Sequence, residues 1–529
     1  MAANLKKVVA QYCSQHKVEA TVNKLVNRLV LERPDDPYAL LSQLFAAESK
    51  APRGVLRAEI SVVLDEHGQS VFQLAITLNS GVYYGQQSTG LKPVTPQVEL
   101  PQPKDPDEEE PEEEEPAPQQ PLVLAHIPGN MGEEVQAMLK VVRANLLPKL
   151  IGKEPTDQAK WDTIIAGACQ DVPASSPETE AAKRAISMAC SIAVCKAGAA
   201  IRKLPIYRHI ADAAKRVDDV FLPVPAVSVV TGGDVTTAEG NRAPMNEIYA
   251  LPVGATSFRE AISLGRRVHE RVKVLLSQRE GAVLDNKLGS FDAVFEDLKE
   301  ALQIVHTAIL TTGCGDRVKI GLAMAASRLF SLPSAVELEG FPEDDIPGTY
   351  DLGTDEGRLT TVQLTQQYNA LMLEFPIVML EDPFDAFPDP SGSCRAWVRY
   401  VEEMGRNVHI VANGLVGKDP EKVAKVGDEK ACNGATVHWV DYATVSEALD
   451  FTSRLQEQYW GIILRDDLCT CSETFTADFA VGAQFGNYRA GGVRGLGHVV
   501  KYNRMLQISD EMAKDAEYVG SRFLSGLSS

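Results

Sequence analysis

The 529-residue sequence predicts an α/β fold: a C-terminal β/α barrel, an α+β domain before it, and a helical hairpin at the N-terminus. Two observations carry the barrel. Five short apolar runs, VKIGLA (318–323), IVMLED (377–382), VHIVAN (408–413), ATVHWV (435–440) and GIILRDD (461–467), end at Ala323, Glu381, Asn413, His438 and Asp466. From Glu381 onward the steps are 32, 25 and 28 residues, room for a strand and a crossover helix, as parallel strands require. Such barrels keep their chemistry at the strands' C-terminal ends, so these five positions are the first candidates for a site. Ala323 and Asn413 carry no charge, which leaves the rim half empty for an enzyme.

The elements follow in order. Residues 1–52 read as two helices. Val18, Val22, Leu25, Val26, Leu29 and Val30 recur at helical spacing, and RPDDP (33–37) supplies a breaker at Pro34, an N-cap at Asp36 and an N1 proline at Pro37. The second helix gathers Leu40, Leu41, Leu44 and Phe45. Two short amphipathic helices cannot bury both faces alone, so self-association or docking of a partner's amphipathic helix is expected there. Residues 53–220 form the α+β domain, opening with a hairpin, LRAEISVVLD (56–65) and VFQLAITL (71–78), reversed at Gly68. A disordered insertion is expected at about 86–122, because PQPKDPDEEEPEEEEPAPQQP (101–121) holds nine acids, one lysine and seven prolines. AISMACSIAVCKAGAAI (185–201) reads as a buried helix. The barrel takes residues 221–529.

Composition narrows the function. Net charge is −20, with 52 basic and 72 acidic residues, and no basic stripe appears, so nucleic acid is not an expected partner. No apolar run approaches a membrane span and no signal-peptide core is seen, so no membrane partner is expected. Nine scattered cysteines, without a C-x-x-C pair, read as free thiols in a reducing, cytoplasmic compartment.

SIAVCKAGAAIRKLPIYRHIAD (191–212), LPVPAVSVVTGG (222–233), ALPVGATSFREAISLG (250–265), LEDPFD (380–385) and KYNRML (501–506) resemble the enolase family, in the same order across about 55–85 and 130–515. The resemblance implies an N-terminal α+β domain, a C-terminal barrel, a homodimer, and magnesium-dependent interconversion of 2-phosphoglycerate and phosphoenolpyruvate, a glycolytic lyase reaction. The RPDDP hairpin is similar to the dimerisation/docking hairpin of cAMP-dependent kinase regulatory subunits. Together with the Pro/acid-rich insertion it resembles the divergent sperm and ciliary enolase-like type, which implies a cilium or flagellar axoneme.

The family's site transfers position by position. Its three magnesium acids fall on Ala323, Glu381 and Asn413, so one carboxylate remains and magnesium is not expected to bind tightly. Its base lysine falls on His438. Its general-acid glutamate falls on Asn286, which cannot transfer a proton, with Asp285 kept beside it; a second acid is kept as Glu247. The phosphate-gripping His-Arg-Ser falls on Asp466-Asp467-Leu468, two negative charges that would repel a phosphorylated acid. The next strand's lysine is Arg489. The histidine loop, DVTTAEGNR (234–242), has no histidine, and the serine loop survives as Ser80-Gly81. The family's catalytic positions are thus Glu247, His438 and Arg489, its substrate-binding positions Ser80 and Asp285, and its metal positions Glu381 and Asn413. The expectation is a catalytically inactive, enolase-like structural component. The alternatives are an active phosphopyruvate hydratase with altered residues, or a ligand sensor or altered chemistry built on His438 with Glu381 and Asp382.

Overall fold

A computed structural model describes residues 9, 12–15, 17–48, 54–90, 133–170, 174–216, 220–232, 245–279, 284–293, 295–332, 348–352, 357–386 and 394–524. Most of the expected insertion (91–122) and the whole of the 234–242 loop lie outside these residues. The chain divides into two units, Met1–Gly54 and Val55–Ser529.

In the first unit, α1 (Val18–Glu32) ends on Arg33 in the left-handed region, φ 41°, and α2 spans Pro37–Glu48. Asp36 accepts the Tyr38 N–H at 3.0 Å, the N-cap role the proline-flanked turn suggests. Leu25 and Leu44 are buried, whereas Val26, Val30, Leu31, Tyr38 and Phe45 remain exposed.

The second unit opens with an antiparallel sheet of β1 (Arg57–Leu64), β2 (Ser70–Leu78) and β3 (Gly81–Ser88). Asp65 closes the first turn by accepting the His67 and Gln69 N–H groups at 2.9 and 2.8 Å, with Gly68 at φ 73°. β3 corrects the sequence reading: pairing with β2 carries the chain in extended form to Ser88, past the expected start of the insertion at 86.

Helices α3 (Glu133–Asn145), α4 (Gln158–Gln170), α5 (Pro177–Arg202) and α6 (Ile206–Ala213) complete this layer. α5 starts from a Ser176–Thr179 capping box with Pro177 at its first turn. Its small residues let β3 approach closely; a Cβ on Gly85 would stand 2.2 Å from the Ala189 carbonyl oxygen. Contrary to the sequence reading, α5 is long and apolar enough to cross a membrane by length and composition, yet 78% of its most apolar window is buried inside the protein. It is the core helix between the sheet and the barrel.

The barrel has eight strands: β4 (Val224–Thr231), β5 (Glu247–Leu251), β6 (Lys319–Ala323), β7 (Ile377–Glu381), β8 (His409–Ala412), β9 (Gly434–His438), β10 (Gly461–Arg465) and β11 (Asn487–Gly491). They pair in that order, and β11 pairs with β4 to close the cylinder. The five apolar runs are β6 to β10, parallel as their spacing predicts. β5 is antiparallel to both neighbours. Between β4 and β5 lie 15 residues and no described crossover helix, so the chain returns in the opposite direction. Two helices, α7 (Phe258–Leu276) and α8 (Leu298–Thr311), then lead to β6. Because β5 is reversed, its rim residue is its first, Glu247.

Val224, Ala226, Tyr249, Leu251, Met379, Val411 and Ile463 fill the interior, and Phe221, Val519 and Phe523 pack onto the same cluster. The cylinder is a packed core, not a channel. The α+β layer sits on the barrel through β3: the Gln87 side chain accepts from Trp439 Nε1 at 2.9 Å and reaches Cys469 Sγ at 3.0 Å. All nine cysteines are free thiols.

Candidate functional site at the barrel rim

Register lines up the rim. Glu247, Ala323 and Glu381 stand side by side on β5, β6 and β7; His438, Arg465 and Arg489 stand side by side on β9, β10 and β11. One half of the rim is acidic and the other basic. The fifth run therefore presents Arg465 at the rim, not Asp466 as the sequence reading has it, because the strand ends one residue earlier.

Arg489 spans the two halves. Its Nη2 donates to Glu247, and its Nη1 reaches the Glu381 oxygens at 3.1 and 3.3 Å. Its Nε lies 3.0 Å from Asp467 Oδ2, too bent for a hydrogen bond but close enough for an ion pair. The guanidinium carbon sits 4.5 Å from the Tyr249 ring centroid, and the Tyr249 hydroxyl donates to Glu247 at 2.6 Å. Arg465 Nε donates to both Asp467 oxygens at 2.8 and 3.1 Å. Arg489, Glu247, Glu381 and Asp467 are at most 3% exposed. Burial alone would push the Asp467 carboxyl up, but Arg465 and Arg489 hold it well below the usual range. Burial also opposes the Arg489 charge, and Glu247, Tyr249, Glu381 and Asp467 more than offset it.

The negative charges of Asp466 and Asp467, expected from the sequence to repel a phosphorylated acid, are both compensated by the protein's own cations. Asp467 is neutralised by the two arginines, and Asp466 faces Lys501 Nζ at 2.9 Å. Lys501 also donates to the Asp466 and Cys469 carbonyls at 2.5 and 2.7 Å, and Thr476 donates to Asp466 at 2.5 Å.

The other expected residues lie around this centre with separate partners. His438 Nδ1 is 3.5 Å from Asp441. Asp382, at φ 46°, accepts the N–H groups of Asn413 at 2.9 Å and of Gly414 at 3.0 Å, so it ties down the turn after β8. Burial and the adjacent Glu381 push its carboxyl up to about 7. Asp285 is exposed and lies within 3.7 Å of Lys273 and 3.5 Å of Arg494. Asn286 locks its hairpin, donating to Thr231 and Asp292 at 2.7 Å each and accepting from Leu288 and Ser290. Ser80 lies between β2 and β3 and accepts from Tyr83 at 3.0 Å. The structure brings Glu247, Glu381 and Arg489 into one cluster; Ser80 and Asp285 have other contacts.

Magnesium does not fit the residues present. It requires several hard oxygens at about 2.0–2.1 Å. Ala323 offers none, Asn413 offers at most one neutral carbonyl oxygen, and both Glu381 oxygens face a guanidinium. Among the described residues, no three His, Cys, Asp or Glu side chains form a group that could hold a metal ion.

Sequence reasoning did not foresee Arg465, Tyr249 and Lys501 as partners. One signal was available: three buried acids kept without a metal need cations, and Arg465 stands inside the same apolar run.

An eight-stranded barrel with one reversed strand and polar groups gathered at its rim defines a β/α-barrel protein of enolase type. Residues 219–526 match the family model described as "Enolase, C-terminal TIM barrel domain". The chain is 32% identical over 399 residues to "Enolase" of Solanum lycopersicum and 31% identical over 399 residues to "Enolase 2" of Hevea brasiliensis, each alignment covering 74% of this chain and 85% of the relative. The chain belongs to the enolase family.

Proposed function

We propose that this chain is an enolase-family protein that has lost hydratase turnover and serves as a structural component, attached through residues 1–52. The observation that carries this reading is Arg489, whose guanidinium is held by Glu247, Glu381 and Asp467 at the centre of the rim. An enolic dianion needs preorganised positive charge that is not already neutralised, and here the rim cations are neutralised by the protein's own carboxylates. The exposed apolar residues of α1 and α2 support attachment by self-association or by docking of an amphipathic helix, and homodimerisation through the enolase-like domains follows the family. The cytoplasm, and within it a cilium or flagellar axoneme, is the location this reading assigns.

The second reading is an active phosphopyruvate hydratase, favoured by 32% identity to a protein named enolase. Purified chain assayed with 2-phosphoglycerate and magnesium, beside a plant enolase, separates the two. The structural reading expects no turnover above background; turnover within a hundredfold of the control overturns it. Deleting residues 1–52 should abolish partner capture while leaving the thermal transition of the barrel in place.

A further inference from the structure

All three nitrogens of the Arg489 guanidinium face a different carboxylate: Nη2 faces Glu247, Nη1 faces Glu381 and Nε faces Asp467. The plane of the ion is backed by the Tyr249 ring at 4.5 Å. Three acids around the edge and an aromatic face beneath suit a flat, delocalised cation with N–H donors along its rim. They do not suit a small spherical ion that needs oxygens on all sides. The cradle is built from separate parts of the chain, β5, β7 and the turn after β10, so its shape does not depend on the Arg489 side chain alone.

We propose that the carboxylates of Glu247, Glu381 and Asp467 form a cradle selective for guanidinium-type cations, filled in this chain by the tethered Arg489 and able to accept a free one when Arg489 is shortened. Arg465 remains in place beside Asp467, so the vacated cradle holds three carboxylates against one guanidinium. The excess negative charge is buried and lacks solvent compensation, which gives a free cation its affinity. This inference rests on the reading of the rim as self-neutralised, but its failure is distinguishable from failure of that reading. Turnover by the unaltered chain would remove the functional proposal and leave the cradle test standing.

The test uses the full chain carrying Arg489→Ala, with thermal unfolding followed by circular dichroism in millimolar methylguanidinium, tetramethylammonium, sodium or magnesium chloride. The variant is expected to melt about 5 °C or more below the unaltered chain. Methylguanidinium should recover part of that loss in a saturable way, with no such gain for the unaltered chain and none from tetramethylammonium or sodium. An unchanged melting temperature, the absence of a saturable gain, or a gain from magnesium alone would each overturn the proposal. If Arg489→Ala fails to fold, Arg489→Met is compared with the triple variant Glu247→Gln, Glu381→Gln, Arg489→Met. Removing the acids should restore melting toward that of the unaltered chain, and a triple variant no more stable than the single one overturns the proposal.

Discussion

The guanidinium of Arg489 lies on the face of Tyr249, 4.5 Å from the ring centroid, while the Tyr249 hydroxyl donates to Glu247, which also accepts from Arg489. One residue on β5 therefore fixes both the floor and one wall of the charged cluster. Removing the hydroxyl in Tyr249→Phe should cost about 1.5 kcal/mol, the low end for one buried hydrogen bond to a carboxylate. Tyr249→Leu should cost about 1–2 kcal/mol more, because the cation also loses its aromatic face. Urea unfolding of the two variants checks the ordering; equal losses would mean that the ring face contributes nothing.

Magnesium should leave the unaltered chain's stability where it is. A ligand raises stability only through binding to the folded state, and the rim carboxylates already face arginines. Thermal melts with millimolar magnesium chloride and with a chelator should superimpose. A magnesium-dependent rise in the transition would contradict the account of the rim.

His409 and Asp382 should tilt the pH dependence of stability in opposite directions. Full burial lowers the His409 imidazole to about 4; the residue fits because Gly434 and Gly461 lack a Cβ that would meet its ring at 1.9 and 2.6 Å. The unfolded chain then binds more protons than the folded one between about 4 and the ordinary histidine value of 6.5. The His409 contribution is therefore complete above that value and declines as pH falls toward 4, at up to about 1.4 kcal/mol per pH unit. Asp382, raised to about 7, holds its proton in the folded chain, so its contribution is complete below the ordinary aspartate value and is lost as pH rises through about 7. Urea melts from pH 4 to 8 should show His409→Met flattening the acid-side decline and Asp382→Asn flattening the loss toward neutrality. Identical slopes in variants and parent would remove both assignments.

Gly85 should tolerate no side chain. A Cβ there would stand 2.2 Å from the Ala189 carbonyl oxygen and 2.4 Å from the Ala193 nitrogen, both backbone atoms of α5 that cannot turn aside. Gly85→Ala should destabilise the α+β layer by about 2–3 kcal/mol through overpacking. Limited proteolysis should then cut between β1 and β3 sooner than in the parent; an unchanged cleavage rate would show that the sheet can shift away from the helix.

Periodicity and spacing disclose much of this architecture because each depends on local chemistry. Pro34, Asp36 and Pro37 set the hairpin turn, Gly68 sets the first β-turn, and the runs ending at Glu381 and His438 set the parallel strands. β5 escapes such reading because EIYAL is short, fully buried and follows β4 without a crossover, so no interval marks its direction. The site is legible as a set of positions and illegible as a network. Sequence identifies Glu247, Glu381 and Arg489 one at a time, while their meeting depends on a reversed strand and a closed cylinder. The apparent repulsion at Asp466 and Asp467 has the same origin. Their cations, Lys501 and Arg489, come from α9 (Leu496–Met512) and β11.

The chain leaves β4 and returns into β5 on the same lip of the barrel, with Thr231 paired beside Glu247. Length can therefore change between those two points without displacing any other stave of the cylinder. A tag or reporter spliced there would enter and leave the cylinder at the same end, beside the Glu247 that Arg489 holds, without breaking the wall.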